Sequence, residues 1–98
     1  MYVILTSKDG QFRTEITNGV RPCEAYDYLF YGQRKARFVI AELPGDVKIR
    51  VIDETPPGFT NDIPSRLFAK FATVESAREE LRHLTTFGSM ETALERVS

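Results

Sequence analysis

The distribution of apolar and polar positions along the chain predicts strands of two kinds. Residues 2–7 are apolar or β-branched on both faces, which is typical of a strand inside a sheet. Residues 36–43 have the same character, and we expect the strand that they form to be central. Residues 11–16 and 47–51 instead alternate between apolar and polar positions, as strands with one solvated face do.

The residues between these strands predict that neighbours in sequence pair as hairpins. Asp9-Gly10 favours the left-handed dihedral angles of a two-residue hairpin turn, which would join the first two strands. Pro-Gly-Asp at residues 44–46 predicts a second hairpin between the two strands that flank it. Asn18-Gly19 and Phe87-Gly88 are further breaks in regular structure.

Residues 22–31 predict a short aromatic helix. Proline suits the first helical turn, and Gly32 can supply the left-handed residue that ends a helix. The apolar positions of the segment recur at helical spacing: Pro22, Ala25, Tyr26, Leu29 and Phe30. A strand is the alternative, because a period of two places Tyr26, Tyr28 and Phe30 on one face.

A second helix is predicted after Thr73, which is a favourable N-cap residue. Val74, Ala77, Leu81 and Leu84 form its apolar stripe, and charged residues cover the other side. The last segment, residues 90–97, also has helical spacing. We nevertheless expect a strand there, because a final strand would complete a sheet beneath both helices.

These elements together predict a single α+β domain over residues 1–98, with a mostly antiparallel sheet and two helices in two layers. The order of elements is that of a β-grasp domain. If the second strand is ignored, the order becomes the βαββαβ order of a ferredoxin-like fold. Both comparisons concern the fold alone, because no family motif accompanies them.

The longest irregular stretch is residues 55–64, which contain three prolines, a glycine, an asparagine and an aspartate. Loops of this length in compact domains are often functional. A plain surface connection is the simpler interpretation, and a site near this loop remains an alternative.

Composition and charge narrow the classes of function. Thirteen basic and fourteen acidic residues give a net charge of −1, so no overall field attracts nucleic acid or anionic lipid. The single cysteine cannot form an intramolecular disulfide, and residues 1–10 lack the features of a secretory signal. No apolar run reaches the roughly 20 residues that span a bilayer. We therefore expect a cytoplasmic protein without a membrane partner.

Residues capable of catalysis are few and scattered. His83 is four residues after Glu79 near a helix end, where a charged imidazole is stabilising for structural reasons. Cys23 follows Arg21, and a lowered thiol pKa is physically permitted there, although packing is the plainer role. Asp53 and Asp62 flank or lie within the irregular stretch without a metal-binding or glycosidase spacing. The sequence predicts no catalytic residue, no metal ligand and no cofactor.

The most informative surface feature is an aromatic and basic group of residues. Tyr28 and Tyr31 fall outside the apolar stripe of the predicted aromatic helix, and Arg34 and Arg37 follow closely. Tyrosine and arginine are enriched where proteins bind one another, because each provides a large contact area with a polar tip. We therefore predict that these four residues bind a partner.

The sequence accordingly predicts a small non-catalytic accessory or regulatory subunit that binds another protein or a second copy of itself. The same residues admit a single-stranded nucleic-acid-binding module, since aromatic rings stack on bases and guanidinium groups hold phosphates. The acidic residues nearby and the slightly acidic chain argue against that alternative. A small enzyme or ligand-binding domain with a site near residues 55–64 is the third alternative.

Overall fold

The computed structural model describes residues 1–17, 19–86 and 88–98. Within these ranges the chain is α+β, with one α-helix rather than the two that were predicted. The elements are β1 (Tyr2–Ser7), β2 (Phe12–Glu15), β3 (Arg21–Phe30), β4 (Gln33–Glu42), β5 (Lys48–Asp53), β6 (Thr60–Pro64), α1 (Val74–Thr85) and β7 (Thr92–Arg96), with a 3-10 turn at Ser65–Leu67.

The strands form two antiparallel sheets. The larger sheet has the order β1-β4-β3-β7, and the smaller has the order β2-β5-β6. Each pairing between these strands is antiparallel. The predicted central position of residues 36–43 is confirmed, because β4 lies between β1 and β3.

Apolar cores lie on both faces of the four-stranded sheet. We call the face that packs on α1 the helix side, and its core centres on Ile40, Ala77 and Leu81. The opposite face, the sheet side, packs on the smaller sheet through Leu5 and Ile49. The fold therefore has three layers rather than the two that were predicted. This follows from the sequences of β1 and β4, which are apolar on both faces, because each apolar face must be buried against another layer.

The predicted aromatic helix over residues 22–31 is wrong, because this segment is β3. Alternation along β3 puts Tyr26 on the helix side with Phe38, its cross-strand neighbour. Pro22 lies beside a register shift at the start of the strand, where the ladder tolerates a missing N–H. Gly32 belongs to a hairpin turn rather than to a helix end. Without this helix, the element order no longer matches either the β-grasp or the ferredoxin-like comparison.

The two predicted hairpins are also wrong, although the chain changes direction at both places; the first turn has three residues between Lys8 and Phe12, rather than the predicted two. The turn after β1 is closed by a hydrogen bond from the Lys8 N–H to the Phe12 carbonyl, at 2.8 Å. The chain nevertheless passes to the other sheet there, because β1 pairs with β4 and β2 pairs with β5. It crosses again between β4 and β5. The half-solvated strand β5 thereby covers the doubly apolar strands through Ile49, and β2 lies beside the edge of β1.

Three other predictions have definite outcomes. The second predicted helix is confirmed as α1, and the Thr73 side chain accepts a hydrogen bond from the Ser76 N–H at 3.1 Å. The final strand is confirmed as β7. The irregular stretch is shorter than predicted, because its second half forms β6 and pairs with β5. The breaks at Asn18-Gly19 and Phe87-Gly88 each include a residue outside the described ranges.

A buried carboxylate joins three of the elements on the helix side. Glu24 of β3 is only 6% exposed. It accepts hydrogen bonds from both Arg78 of α1, with the Nε donor at 2.7 Å, and the Tyr26 hydroxyl at 2.6 Å. Arg96 of β7 approaches it at 3.5 Å. The hydrogen bond from Arg78 is the main reason that the pKa of Glu24 falls from 4.5 to about 2.

This arrangement predicts an acid-sensitive contribution to stability. Because the pKa of Glu24 is lower in the folded chain, its contribution is present above pH 4.5 and is lost as the pH falls toward about 2. Substitution Glu24→Gln removes the charge, and we expect it to lower the free energy of unfolding at pH 7 by about 2 kcal/mol. Chemical denaturation of both proteins between pH 7 and pH 2 measures the difference, which should shrink in acid.

The matched control is Glu42→Gln, which removes the carboxylate of an exposed pair with Arg21. Exposed pairs contribute little, so this variant should change the free energy of unfolding by less than about 1 kcal/mol. Equal effects of the two substitutions at pH 7 would contradict a special role for Glu24.

Candidate functional site

The predicted partner-binding residues lie on or beside the hairpin that β3 and β4 form. Its apex is the two-residue turn Tyr31-Gly32, which follows the Phe30–Gln33 pair. Both turn residues have positive φ angles, 51° for Tyr31 and 78° for Gly32, as a type I′ turn requires. We use the term hairpin apex for residues 30–33.

Tyr31 is an unusual residue for its place in this turn. Asparagine, aspartate or glycine is favoured there, because in the left-handed conformation the Cβ atom of most residues comes too close to the following carbonyl oxygen. The Tyr31 side chain is also largely exposed, at 58%, and contacts Phe30 edge to face with ring centroids 4.8 Å apart. The apex therefore carries an exposed aromatic ring at some cost in local backbone energy.

Tyr28 is placed differently from Tyr31. Strand alternation directs it to the helix side, between its cross-strand neighbours Ala36 and Leu94. Its ring is 6.4 Å from that of Phe38, and the residue is half-buried. Tyr28 therefore contributes to packing as well as to the surface.

The two arginines lie on the sheet side and are paired with carboxylates. The Arg37 Nε donates to Asp27 Oδ1 at 2.8 Å, and this hydrogen bond is the main reason that the pKa of Asp27 is lowered. The Arg34 Nε donates to Asp9 Oδ2 at 2.9 Å, and its guanidinium also lies 3.8 Å from Asp27. The fold thus balances the charge of this basic segment locally.

The four predicted residues consequently do not share one face. Tyr31 is at the apex, Tyr28 is on the helix side, and Arg34 and Arg37 are on the sheet side. Their role in binding stays a prediction.

Sequence reasoning missed Met90, which is 52% exposed and precedes Glu91. The Tyr31 N–H donates to the Glu91 carbonyl at 2.9 Å, and this bond brings the Met90 segment to the apex. No local signal marks Met90, because only the pairing of β7 with β3 places it there.

The other candidate groups are held by separate contacts on separate elements. The Cys23 thiol lies 3.6 Å from the Arg21 carbonyl on β3, and His83 is exposed on α1. Asp53 accepts hydrogen bonds from Thr55, which lower the pKa of Asp53. The Arg50 guanidinium lowers the pKa of Asp62 in the same way, by hydrogen bonding. In the part of the chain that the structure describes, no three acidic, histidine or cysteine residues are grouped as metal ligands.

The concave features of the surface are shallow. One cavity of about 420 Å³ lies where β6 ends, lined by Asp46, Lys48, Ser65 and neighbouring residues. Ser65 is used structurally there, because its hydroxyl accepts a hydrogen bond from the Val47 N–H at 3.1 Å. His83 lines a separate, open hollow of about 650 Å³ with Glu79, Arg82 and Thr86, and none of Cys23, Asp53 or Asp62 lines either of these two features. Across the described ranges, α1 is neither long nor apolar enough to cross a membrane.

No protein-family model matches this sequence, and no curated protein or solved structure is significantly similar to it.

The left-handed turn at Tyr31 can be tested by comparing two substitutions that both remove the ring. Tyr31→Asn and Tyr31→Ala lose the same contact with Phe30, but asparagine tolerates a positive φ much better than alanine. We expect the asparagine variant to be more stable by about 1 kcal/mol. Thermal or chemical denaturation measures this difference. Equal stabilities, or a more stable alanine variant, would contradict the left-handed conformation at residue 31.

Proposed function

We propose that this chain is a small non-catalytic accessory or regulatory subunit that binds another protein through the hairpin apex. Tyr31 is the central contact, Phe30 and Met90 extend the apolar area, and Arg34 and Arg37 provide a polar rim. Such a composition is typical of interfaces, in which aromatic and methionine residues are enriched and charged groups lie at the edge.

The observation that carries the proposal is the exposed tyrosine in the left-handed region. An asparagine at residue 31 would satisfy the turn with less strain, so folding alone does not account for a large exposed ring there. Strained backbone positions tend to occur at functional sites, and tyrosine is among the residues that contribute most to binding energy.

The charge pattern favours a protein over a nucleic acid as the partner. Phosphates would have to compete with Asp9 and Asp27 for the guanidinium groups of Arg34 and Arg37. A protein surface of mixed charge can instead leave these pairs intact, because rim contacts add little to affinity but help to orient the partner.

Photocrosslinking in the native host cells tests the apex directly. Benzoylphenylalanine in place of Tyr31 should yield a discrete covalent adduct, because the exposed ring would lie inside the interface. Benzoylphenylalanine in place of Phe59 is the matched control, since Phe59 is 65% exposed in the turn of the β5–β6 hairpin. Denaturing gels followed by mass spectrometry of the adducts identify the partner. An adduct with the mass of two chains would identify a second copy.

A second variant distinguishes a loss of binding from a loss of folding in this experiment. With benzoylphenylalanine at residue 90, the same adduct should form and should disappear when Tyr31→Asn is added. Circular dichroism should show that this variant folds, since asparagine suits the turn. Adducts that form equally at residues 31 and 59, or that survive Tyr31→Asn, would contradict binding through the apex.

The nucleic-acid alternative has a distinct expected outcome. Because the carboxylates of Asp9 and Asp27 pair with the arginines, the native chain should show no measurable affinity for a labelled oligouridine at low salt. Fluorescence anisotropy measures this binding. The double variant Asp9→Asn with Asp27→Asn should gain weak binding that decreases as salt rises. Strong, salt-sensitive binding by the native chain would instead favour the nucleic-acid-binding module.

A further inference from the structure

The last strand leaves one edge of the four-stranded sheet open. β7 pairs with β3 on one side only and ends the strand order. The Tyr31 N–H donates to the Glu91 carbonyl at 2.9 Å, and the Val97 N–H donates to the Ala25 carbonyl at 2.8 Å. The odd-numbered residues of this segment therefore bond to β3. By the alternation of an antiparallel ladder, the N–H and C=O groups of Thr92, Leu94 and Arg96 point away from it.

The opposite edge of the same sheet is covered. Tyr2 of β1 exchanges two backbone hydrogen bonds with Phe71, each of 2.8 Å. Further along the edge, the Thr14 hydroxyl donates to the Thr6 carbonyl at 2.6 Å. Among the described residues of the four-stranded sheet, β7 thus offers the longest row of ladder groups without a strand or segment beside it.

The β6 edge of the smaller sheet is less suited to accept a strand. β6 contains Pro64, which has no N–H to donate, and its residues Thr60, Asn61 and Asp62 are polar and exposed. Short polar strands with proline are a common protection against unwanted pairing. The contrast between the two sheets singles out β7.

The two faces that flank the β7 edge differ in charge. On the helix side, Arg78 and Arg82 stand one turn apart on the flank of α1 toward β3, and Arg96 extends from β7 itself. Buried Glu24 and exposed Glu75 offset part of this charge, so the flank of α1 beside β7 has three arginines against two carboxylates. Glu79, which lines a hollow with Arg82, lies farther from the edge, on the outer face of the helix. On the sheet side, the exposed carboxylates of Glu91 and Glu95 make the flank negative.

This charge distribution disfavours a second copy of the chain as the added strand. In an antiparallel pair of β7 strands related by a two-fold axis, each face meets the same face of its mate. Arginines would then approach arginines, and glutamates would approach glutamates, at a cost in electrostatic energy. A strand with the opposite arrangement of charges would be attracted on both faces.

We propose that the β7 edge binds an extended segment of another protein, which adds to the sheet with acidic side chains toward α1 and basic side chains toward the sheet side. Backbone hydrogen bonds to Thr92, Leu94 and Arg96 provide the attachment, and the alternating charges provide the selectivity. This surface is separate from the side chain of Tyr31, although β7 begins beside Phe30.

Two synthetic peptides of equal composition test the charge pattern. Acetyl-Glu-Lys-Val-Thr-Glu-Lys-amide places both glutamates on one face of a strand and both lysines on the other. Acetyl-Glu-Glu-Val-Thr-Lys-Lys-amide places one of each on both faces. Titration into the ¹⁵N-labelled full chain, followed by NMR, should shift and protect the amides of Thr92, Leu94 and Arg96. We expect the first peptide to bind about tenfold more tightly than the second.

Three chain variants test the attachment. Thr92→Pro removes an outward N–H donor and should lower the affinity for the first peptide about tenfold. The chain should stay folded, because the Thr92 N–H has no role in the ladder with β3. Ala93→Pro is the counterpart, and it should destabilise β7, since residue 93 bonds inward. Arg82→Gln, on the exposed surface, should reduce the preference for the first peptide without affecting folding.

The outcomes divide clearly. Selective shifts of the three amides, lost with Thr92→Pro, support strand addition at β7. Equal affinities of the two peptides, or shifts confined to other elements, would overturn it. The absence of any shift at several millimolar peptide would do the same. Concentration-dependent protection of β7 amides without peptide would show a second copy at this edge and would also overturn the proposal. None of these outcomes depends on whether Tyr31 contacts a partner.

Discussion

The interaction on which the helix side of this fold depends is the pairing of buried Glu24 with Arg78. A carboxylate that is almost fully removed from water is tolerated only when its lone pairs are occupied and its charge is balanced. Arg78, Tyr26 and Arg96 meet that requirement from α1, β3 and β7, so one side chain positions all three elements. The pair also fixes how α1 lies over the strands, and hence which of its residues flank the β7 edge.

From the sequence, the polarity of each strand face could be predicted better than the pairing of the strands. Doubly apolar β1 and β4 and half-solvated β5 were recognised, because burial on one or two faces leaves a local pattern. The helix α1 was recognised from its cap and its stripe. Residues 22–31 were misread, because Pro22 and Gly32 are compatible with a helix and also with a bulged strand that ends in a type I′ turn. The hairpin predictions were wrong because a tight turn constrains only the direction of the chain and does not determine which sheet the next strand joins.

The candidate site was predictable only in part for a related reason. Tyr31 could be identified as an exposed aromatic residue, and the structure places it at the hairpin apex. Acidic residues near the basic segment, Asp27 among them, are evident in the sequence, but the pairing of Arg34 with Asp9 could not be foreseen, since Asp9 lies 25 residues from Arg34. Met90 reaches the apex only through the pairing of β7 with β3. Each of these relations depends on strand register, which no local pattern along this chain determines.

The crossing of the chain between sheets has a consequence for the order of folding. β1 cannot form its sheet pairing before β4 has been synthesised, and β2 cannot form its own before β5. The outer edge of β3 stays unpaired until β7 has been synthesised. Contacts between residues so distant in sequence close large loops before they gain stabilisation, which slows folding. During synthesis on the ribosome, the first strands therefore emerge without their partners. Their apolar faces stay unprotected until β5 and α1, which cover them, have left the exit tunnel.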